Sequence, residues 1–405
     1  ENRERLRLNC AEPDNPISCF AELIQRAHEA TGQRAVILID EYDKPILDNI
    51  TDSDTARAMR DGLRNFYSVI KGMDAHVKFV FLTGVSKFSK VSLFSGLNNL
   101  EDITVDARYS AICGYTETDL DTVFAAELEG ADREEIRRWY NGYNWLGESV
   151  YNPFGLLLFL RNHQFKPYWF ETGTPTFLVD MVAQRHHFVP DLAHLHASDS
   201  LLSTFDVDHI STEALMFQTG YLTIESSRSI LGRTEYVLRY PNLEVRTAFH
   251  DVLLQTLSGS SSIPGRHISK LGDILCANNL PALRDLITAF FASIPYEWYT
   301  NNPIAQYEGY YASVFYAYFA SLGLEIIPEE STNQGRLDMA VKFNNHIYLF
   351  EFKVVELTPE GSALAQLKTN DYAAKYRTLN QPIYLIGVEF SKEKRNVVGF
   401  EVEFD

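Results

Sequence analysis

Residues 335–353 read GRLDMAVKFNNHIYLFEFK, and this stretch sets the fold of the C-terminal part of the chain. Two runs rich in β-branched and aromatic residues flank Asn344 and Asn345, and such runs favour strands. Asparagine tolerates the positive φ angles that a two-residue hairpin turn requires. We therefore predict a hairpin in which Phe343 lies opposite His346.

The predicted hairpin brings three chemically active side chains to one face. Counting outward from the turn places Asp338 opposite Glu351, and directly opposed residues share a face, with Cβ atoms about 4.5–5.5 Å apart. Lys353 lies two residues beyond Glu351, so the period of the strand puts it on the same face. Two opposed carboxylates destabilise a hairpin unless a cation lies between them, and a divalent metal held by oxygen atoms meets that need. The alternative is an exposed hairpin with weak surface ion pairs.

The composition is that of a globular protein with an acidic surface. The length of 405 residues suggests two or three domains, and hydrophobic residues make up 45% of the chain. The 36 basic residues against 54 acidic ones give a formal net charge of -18, which disfavours tight non-specific binding to nucleic acid. A nucleic-acid enzyme with this charge would need a local basic groove and metal ions.

Three sequence features bear on location and on other metal sites. No stretch reaches the ~18 unbroken apolar residues of a membrane span, so no membrane association is expected. The cysteines are scattered without pair spacing, which predicts buried, reduced thiols and a cytoplasmic protein; they are Cys10, Cys19, Cys113 and Cys276. One histidine cluster favours a polar surface over a metal site; it comprises His186, His187, His194 and His196.

An apolar run followed by acidic residues marks the N-terminal part. Residues 35–39 are all apolar, which favours a central strand covered by helices on both faces, and Asp40 and Glu41 follow directly. A second strand-like run at 77–82 ends at Thr83, and the helix predicted between the runs supplies a parallel crossover. Asp40 and Thr83 would then share the sheet edge where ligands bind in open α/β sheets. This is the Walker B pattern of P-loop ATPases, in which the Asp holds Mg²⁺ through water and the Glu polarises a hydrolytic water.

The predicted elements change along the chain. Helices at 17–31 and 54–71 alternate with the two strands, which is an α/β pattern. Residues 116–200 are predicted to be mostly helical, with Thr116 as an N-cap. A short helix followed by two strands within 212–239 predicts a small winged-helix unit.

The best linker candidate is the Ser-, Gly- and Pro-containing stretch from Ser258 to Gly265, after which two helices are expected. We predict five consecutive parts: an ATPase-like core at 1–115, a helical lid region at 116–200, a winged-helix-like unit at 201–262, a helical connector at 263–300 and a separate α/β domain at 301–405.

The C-terminal residues resemble the PD-(D/E)XK nuclease superfamily. Asp338 corresponds to the motif Asp, and Glu351-Phe352-Lys353 corresponds to the E-x-K. The resemblance implies hydrolysis of nucleic acid, DNA or RNA, with Mg²⁺ or Mn²⁺ at Asp338 and Glu351. It also implies that Lys353 orients or activates the attacking water and stabilises the developing phosphorane charge.

The same resemblance extends to two neighbouring helices. Glu308 matches a first-helix Glu that often completes the metal shell, although a solvated helix residue is an equal alternative. Gln366, on a helix predicted at 363–376, matches a position that supports the active site. Basic residues near it could contact phosphates or simply form a solvated helix face; they are Lys368, Lys375 and Arg377.

The N-terminal motifs resemble the AAA-ATPase-like family. They are LIDEYDKP at 38–45, LTGVSKF at 82–88, FSGLNNL at 94–100, WYNGY at 139–143 and YNP at 151–153. In that family the module precedes a PD-(D/E)XK domain, so the resemblance covers nearly the whole chain. No G-x-x-x-x-G-K-[ST] loop occurs in the sequence. In the family this loop lies upstream of the Walker B strand. We expect a truncated P-loop ATPase-like parallel sheet, with ATP at Asp40, Glu41 and Thr83 only in an intact form that has the loop.

Two hypotheses follow. In the first, the protein is a metal-dependent endonuclease regulated by an ATPase-like module. In the second, it is a catalytically inactive regulatory or interaction protein that retains the nuclease-like fold, as the charge of -18 and the missing phosphate loop suggest. Protein partners or self-association are compatible with both hypotheses.

Overall fold

The computed structural model describes residues 8, 15–50, 52–85, 100–169, 178–179, 181–182, 185, 188–199, 202, 211–258, 263–294, 308–331 and 335–405. By their internal contacts the residues form two compact units. The first comprises Glu1–Tyr109, His196–Leu222 and Ser227–Tyr236, and the second comprises Ser110–Leu195, Thr223–Ser226 and Val237–Asp405. The domain limits predicted from the sequence stay predictions. None of the helices in the described ranges has the length and hydropathy to cross a membrane.

A pair of parallel strands with flanking helices begins the first unit. Its elements are α1 Pro16–Thr31, β1 Ala35–Ile39, α2 Lys44–Leu47, α3 Ser53–Gly72 and β2 Val77–Leu82. Asn15 caps α1 by accepting the N–H groups of Ile17 and Ser18, and Gly32 (φ 68°) ends it in the left-handed conformation. The parallel pairing of β1 with β2 confirms the predicted neighbouring strands.

The prediction that β1 is covered on both faces is wrong for the described residues. Alternate side chains leave an open apolar face, where Val36, Leu38 and Phe79 are 54%, 69% and 55% exposed. Ile37 points to the other face and is buried. The helix α1 contacts both β1 and α3, so the helices close only one side of this two-stranded sheet.

Short helices and a small strand pair begin the second unit. Its elements are α4 Glu117–Thr122, α5 Arg133–Tyr140, β3 Asn141–Tyr143, β4 Val150–Tyr151 and α6 Pro153–Asn162. Thr116 caps α4 as predicted, in a capping box with Asp119. For the described residues, the prediction that 116–200 are mostly helical is wrong, because turns and irregular segments separate the helices and β3 pairs antiparallel with β4 between them. Gly142 has φ 123°, and an added Cβ would lie 1.9 Å from the Pro241 carbonyl oxygen, so only glycine fits there.

The next segment contains a helix and two long strands in the predicted order. The elements are β5 Leu195–Ser198, α7 Thr212–Gln218, β6 Thr223–Ile230 and β7 Arg233–Arg239. Leu231 and Gly232 connect β6 to β7 with φ values of 51° and 79°, and a two-residue loop with positive φ angles favours a hairpin. The winged-helix interpretation of this segment stays a prediction.

Three helices follow, namely α8 Leu243–Ser258, α9 Ile263–Cys276 and α10 Leu280–Ala292. The predicted linker at 258–265 is shorter than expected, because Ser258 still belongs to α8 and α9 already begins at Ile263. Pro264 lies in the first turn of α9, where proline is tolerated because its missing N–H would have no helical partner. The two helices expected after the linker are confirmed.

A five-stranded mixed sheet forms the C-terminal domain. Its elements are α11 Glu308–Ala320, β8 Glu325–Ser331, β9 Arg336–Phe343, β10 His346–Val355, α12 Ser362–Thr369, β11 Ile383–Ser391 and β12 Asn396–Phe404. The strand order is β12-β11-β10-β9-β8, with β10 and β11 parallel and the other neighbours antiparallel. Asn344 and Asn345 have φ values of 49° and 61° and form the predicted two-residue turn. The predicted α/β architecture is confirmed for this domain.

The helix predicted at 363–376 is shorter in the structure. It ends at Thr369, because Asp371 takes a left-handed conformation with φ 42° that no helix can continue. Two 3₁₀ turns complete the segment, Tyr372–Lys375 and Arg377–Leu379. Tyr372 lies in the same hydrophobic core as Leu367 of α12 and holds the two parts together.

The prediction of buried, reduced cysteines is wrong in part, and Cys10 lies outside the described residues. Cys113 and Cys276 are free but exposed, since one lies in a turn and the other at the end of α9. Cys19 is disulfide-bonded. The free thiols of Cys113 and Cys276 agree with the predicted reduced state, whereas their exposure and the disulfide of Cys19 do not agree with the prediction.

Candidate active site

The β9–β10 hairpin carries the predicted site at the end away from its turn. The register begins with Phe343 opposite His346, as predicted, and continues to Met339 opposite Phe350. The expected direct pair of Asp338 with Glu351 is not part of this ladder. Instead, the Phe352 N–H donates to Oδ2 of Asp338 at 2.8 Å, so the Asp338 side chain accepts a bond beyond the last backbone pair.

Glu351 is the most buried carboxylate of the site, with 1% of the side chain exposed. Its Oε1 accepts hydrogen bonds from Nε2 of Gln366 and from Nζ of Lys353, the latter at 3.3 Å. Its Oε2 is buried and has no hydrogen-bond partner. Burial and, to a smaller extent, the nearby Asp338 carboxylate raise the pKa of Glu351 to about 8. An unpartnered carboxylate oxygen in such a position is costly unless a cation or a proton compensates for it.

Lys353 joins the remaining carboxylates. Its Nζ lies 3.5 Å from Oε1 of Glu308, the first residue of α11. Burial alone would lower the pKa of Lys353, but Glu308, Glu351 and Asp338 together raise it. Burial raises the pKa of Asp338, and it raises the pKa of Glu308 in spite of the neighbouring ammonium group. The structure therefore brings together all five residues predicted from the sequence, with Gln366 as the fifth.

Sequence reasoning missed Glu389, a buried residue of β11. Its carboxylate accepts the backbone N–H groups at the start of α12; they belong to Glu360 (2.6 Å), Gly361 (3.1 Å), Ser362 (2.7 Å) and Ala363 (3.3 Å). Burial alone would raise the pKa of Glu389, but these hydrogen bonds lower it overall. Because α12 also carries Gln366, Glu389 fixes the helix that positions Glu351. A lone Glu in the otherwise apolar run 383–390 was the available signal.

The basic residues near α12 have carboxylate partners of their own. Nζ of Lys368 lies 2.9 Å from Glu403, and Nη2 of Arg377 lies 2.6 Å from Asp405. Lys375 also has an interaction partner. Their proposed phosphate contacts stay a prediction, and the two ion pairs would have to open for it.

Two carboxylates of this site, those of Asp338 and Glu351, are oxygen donors of the kind that a divalent cation binds. Among the described residues, no group of three or more His, Cys, Asp or Glu side chains is arranged to hold a metal ion. Asp338 and Glu351 still offer oxygen atoms, one of them the unpartnered Oε2. Mg²⁺ commonly binds one or two carboxylates and keeps several waters. The role of Glu308 as a third ligand stays a prediction, because its carboxylate contacts Lys353.

In the first unit, Asp40 and Thr83 meet at the carboxyl ends of β1 and β2, as predicted. Oδ1 of Asp40 accepts hydrogen bonds from the Thr83 hydroxyl and from the Glu41 N–H at 2.9 Å. Glu41 has a φ of 51°, a conformation that is rare for a side chain of this size. Asp43, to which sequence reasoning gave no role, is fully buried and accepts the Val85 N–H at 3.1 Å. Nucleotide binding by these residues stays a prediction.

The histidine cluster is a surface feature in the described residues. His194 lies 3.2 Å from Glu225, and His196 lies 3.6 Å from Glu235, with both imidazoles well exposed. His186 and His187 lie outside the described residues.

The comparisons with known proteins agree with this geometry. The PD-(D/E)XK nuclease superfamily model matches residues 306–400, and a predicted AAA-ATPase model matches residues 2–94. The chain belongs to the family of AAA-ATPase-like proteins that carry a C-terminal PD-(D/E)XK nuclease superfamily domain. A relative from Azotobacter chroococcum mcd 1, described as an uncharacterized protein in the vnfD 5′ region, is 61% identical over 402 residues. The match spans 99% of this chain and 78% of the relative. No solved structure matches the chain significantly.

Proposed function

We propose that the C-terminal domain hydrolyses phosphodiester bonds in nucleic acid with the help of a divalent metal ion, Mg²⁺ or Mn²⁺. The observation that supports this most directly is the buried, unpartnered Oε2 of Glu351 beside Asp338 and Lys353. Three ionisable groups with raised pKa values at the end of one hairpin are typical of a catalytic site. DNA is the first substrate to test, and RNA is the second.

Each residue would have a separate role. Asp338 and Glu351 would hold the metal, which when bound supplies an activated water and a positive charge next to the phosphate. Gln366 binds one oxygen of Glu351, which would leave Oε2 available to hold the cation. Lys353 stays protonated, because its pKa is raised, and would stabilise charge that develops on the phosphate. Glu308 would orient that ammonium or complete the metal shell.

The N-terminal module is proposed to regulate this activity. Asp40, Glu41 and Thr83 would contribute to Mg-ATP binding in a form of the protein that includes a phosphate-binding loop. The hydrogen bond between Thr83 and Asp40 supports the proposal, since it joins the two strand ends at which such a ligand would lie. A cytoplasmic location and binding to protein partners or to a second copy are further proposals of this kind.

Cleavage of single- and double-stranded DNA and RNA with Mg²⁺ or Mn²⁺ tests the proposal. Asp338→Asn and Glu351→Gln should each reduce the rate at least about a hundredfold, because each removes a charged ligand. A matched control is Glu356→Gln. Glu356 follows β10 directly, and its carboxylate pairs with Lys392 on the surface. Cleavage that survives both site variants would contradict the assignment.

The second candidate is an inactive regulatory protein with a nuclease-like fold. It is favoured by the net charge of -18 and by the carboxylate partners of Lys368 and Arg377. Calorimetry with Mn²⁺ and a mobility shift with nucleic acid at low salt distinguish the two candidates. Neither metal binding nor a shift is expected if the second candidate is correct.

A further inference from the structure

A large cleft lies within the second compact unit, away from the predicted metal site. It has a volume of about 1250 Å³ and is lined by residues of α5, by the stretch 239–246, by residues 322–326 after α11 and by the turn end of the β9–β10 hairpin. Phe343 and Asn344 line it, whereas Asp338 and Glu351 lie at the other end of the same hairpin. A cleft of this size can hold a ligand as large as a nucleotide.

Residues on one wall of the cleft have buried polar atoms with no hydrogen-bond partner in the protein. Four residues of the stretch 239–246 that line the cleft each have a buried side-chain atom without a hydrogen bond; these atoms are Nε of Arg239, the Tyr240 hydroxyl, Nδ2 of Asn242 and Nε of Arg246. A fifth such atom in the stretch, the acceptor Oε2 of Glu244, belongs to a residue that does not line the cleft. The first four can donate a hydrogen bond. Four unpartnered donors within eight residues exceed what a folded protein usually leaves unsatisfied, and they call for an acceptor.

The charge on this wall points to an anionic acceptor. Nη2 of Arg246 donates to the Leu324 carbonyl at 2.9 Å, and Nη2 of Arg138 donates to the Gly323 carbonyl at 3.2 Å. The two guanidinium groups thus bind the carbonyls of neighbouring residues. Burial lowers the pKa of Arg246, and the Arg138 charge acts in the same direction, against the opposite effects of Tyr316, Tyr240 and Glu325. An anion between these groups would offset both the burial and the repulsion.

Three carboxylates in the cleft have cationic partners of their own, and one of them, Glu325, acts on the Arg246 charge without pairing with it. Glu117 pairs with Arg137, Glu135 pairs with Arg138, and Glu325 pairs with Lys342; the distances are 2.7, 3.3 and 2.9 Å. Across the described part of the chain, by contrast, Arg239 and Arg246 have no carboxylate oxygen within 4 Å.

The rest of the lining limits the size of the ligand and suggests its chemistry. The exposed Glu148 also lines the cleft, so a long polyanion would meet repulsion that a compact anion avoids. Trp139 and Phe343 provide aromatic surface against which a base could pack. Guanidinium groups bind phosphate oxygens in pairs of hydrogen bonds.

We propose that this cleft binds a mononucleotide-sized phosphate ester, with its phosphate on Arg239, Asn242 and Arg246. The ligand would contact both the α5 region and the β-sheet domain, because residues of both line the cleft. The site is separate from the metal site and does not depend on nuclease activity.

Calorimetry with pyrophosphate, AMP and a short oligothymidylate tests the proposal on the full chain. The sharpest variant is Asn242→Asp. Oδ1 of Asn242 accepts the Val245 N–H at 3.0 Å, and an aspartate keeps that bond while it replaces the unpartnered Nδ2 with a negative oxygen. We expect an unchanged or higher melting temperature and at least a tenfold loss of pyrophosphate and AMP affinity.

A second variant and its control separate the cleft from general charge effects. Arg239→Gln should also weaken pyrophosphate and AMP binding at least tenfold. Arg233→Gln removes an exposed arginine from the same strand outside the cleft and should leave binding within twofold. Oligothymidylate binding should not respond to Asn242→Asp. The proposal is overturned if the wild-type chain binds neither pyrophosphate nor AMP, if Asn242→Asp binds both as tightly as wild type, or if only oligothymidylate binding is lost.

Discussion

Gln366 donates a hydrogen bond from Nε2 to Oε1 of Glu351, and this contact leaves Oε2 of Glu351 as the only carboxylate oxygen of that residue without a partner. The bond joins α12 to the middle strand of the C-terminal sheet. It makes the orientation of a predicted metal ligand depend on a helix that follows it by about ten residues.

Replacing Gln366 with Ala should weaken Mn²⁺ binding by about ten- to a hundredfold, because the partner that orients a metal ligand is lost. Calorimetry with Mn²⁺ measures this directly and does not require nuclease activity. Gln381→Ala is a matched control, since Gln381 lies beyond the other end of α12, just before β11. Equal Mn²⁺ affinity in both variants would show that the bond has no role in binding.

Replacing Glu389 with Gln should reduce the free energy of unfolding by about 1–3 kcal/mol, since an amide offers one oxygen to N–H groups that two charged oxygens now satisfy. The folded-state pKa of Glu389 is lowered, so its stabilisation is present above its ordinary pKa of about 4.5 and is lost as pH falls through the lowered value. Urea denaturation from pH 7 down to pH 3 should show a steeper loss for wild type than for the variant. Parallel curves would contradict this role for the carboxylate.

The raised pKa of Glu351 predicts that metal binding depends on pH. With a folded-state pKa of about 8, the carboxyl group is mostly protonated at pH 7, and a bound cation must displace that proton. Mn²⁺ affinity should therefore rise by up to about tenfold per pH unit between pH 6 and 8. Proton release into buffers of different ionisation enthalpy provides the measurement.

The same pKa predicts the stability of the metal-free protein. Above pH 4.5 the unfolded chain has lost the Glu351 proton while the folded chain keeps it up to about pH 8, so this group destabilises the fold as pH rises through that range. Glu351→Gln should raise the metal-free melting temperature at pH 8 relative to wild type, and by less at pH 5. A lower melting temperature for the variant at pH 8 would be the contrary result.

Gly142→Ala should destabilise the second unit by more than about 1 kcal/mol, because φ is 123° and the new Cβ would lie 1.9 Å from a backbone carbonyl oxygen. Gly130→Ala is the matched control, since Gly130 also has a positive φ, 77°, but no heavy atom lies within 4 Å of the place its new methyl group would take. Denaturant titration of both variants separates the steric clash from the backbone strain. Similar losses in both would mean that the Pro241 contact relaxes.

ATP should bind these 405 residues more weakly than about 1 mM, because Asp40 would contact a metal through water, whereas the direct phosphate contacts would come from a loop motif that does not occur in the sequence. Calorimetry with Mg-ATP gives the affinity. Thr83→Val should make no difference in this chain, and should weaken binding in a form that includes the loop. Micromolar ATP binding by the chain as it stands would prove this wrong.

The local sequence pattern predicted the structure correctly wherever that structure depends on neighbouring residues. The Asn344-Asn345 turn and the strand period place Asp338, Glu351 and Lys353 at one end of a hairpin, and the structure shows them there. The error in this segment concerns only the last pair, where the Asp338 side chain replaces a backbone partner. The same local rules overestimated the helix at 363–376, because one left-handed residue, Asp371, ends it without a Gly or Pro to signal the break.

The sequence by itself determined the hairpin, most of its register and the polar ends of the N-terminal strands, since these depend on side-chain alternation and turn chemistry over fewer than twenty residues. Only the tertiary structure decided which distant groups complete each site. Glu389 reaches α12 because β11 lies parallel to β10, and the donors of Arg239 and Arg246 share a cleft with Arg138 because the chain folds back on itself. Such contacts depend on how whole elements pack, and no short-range pattern encodes that packing.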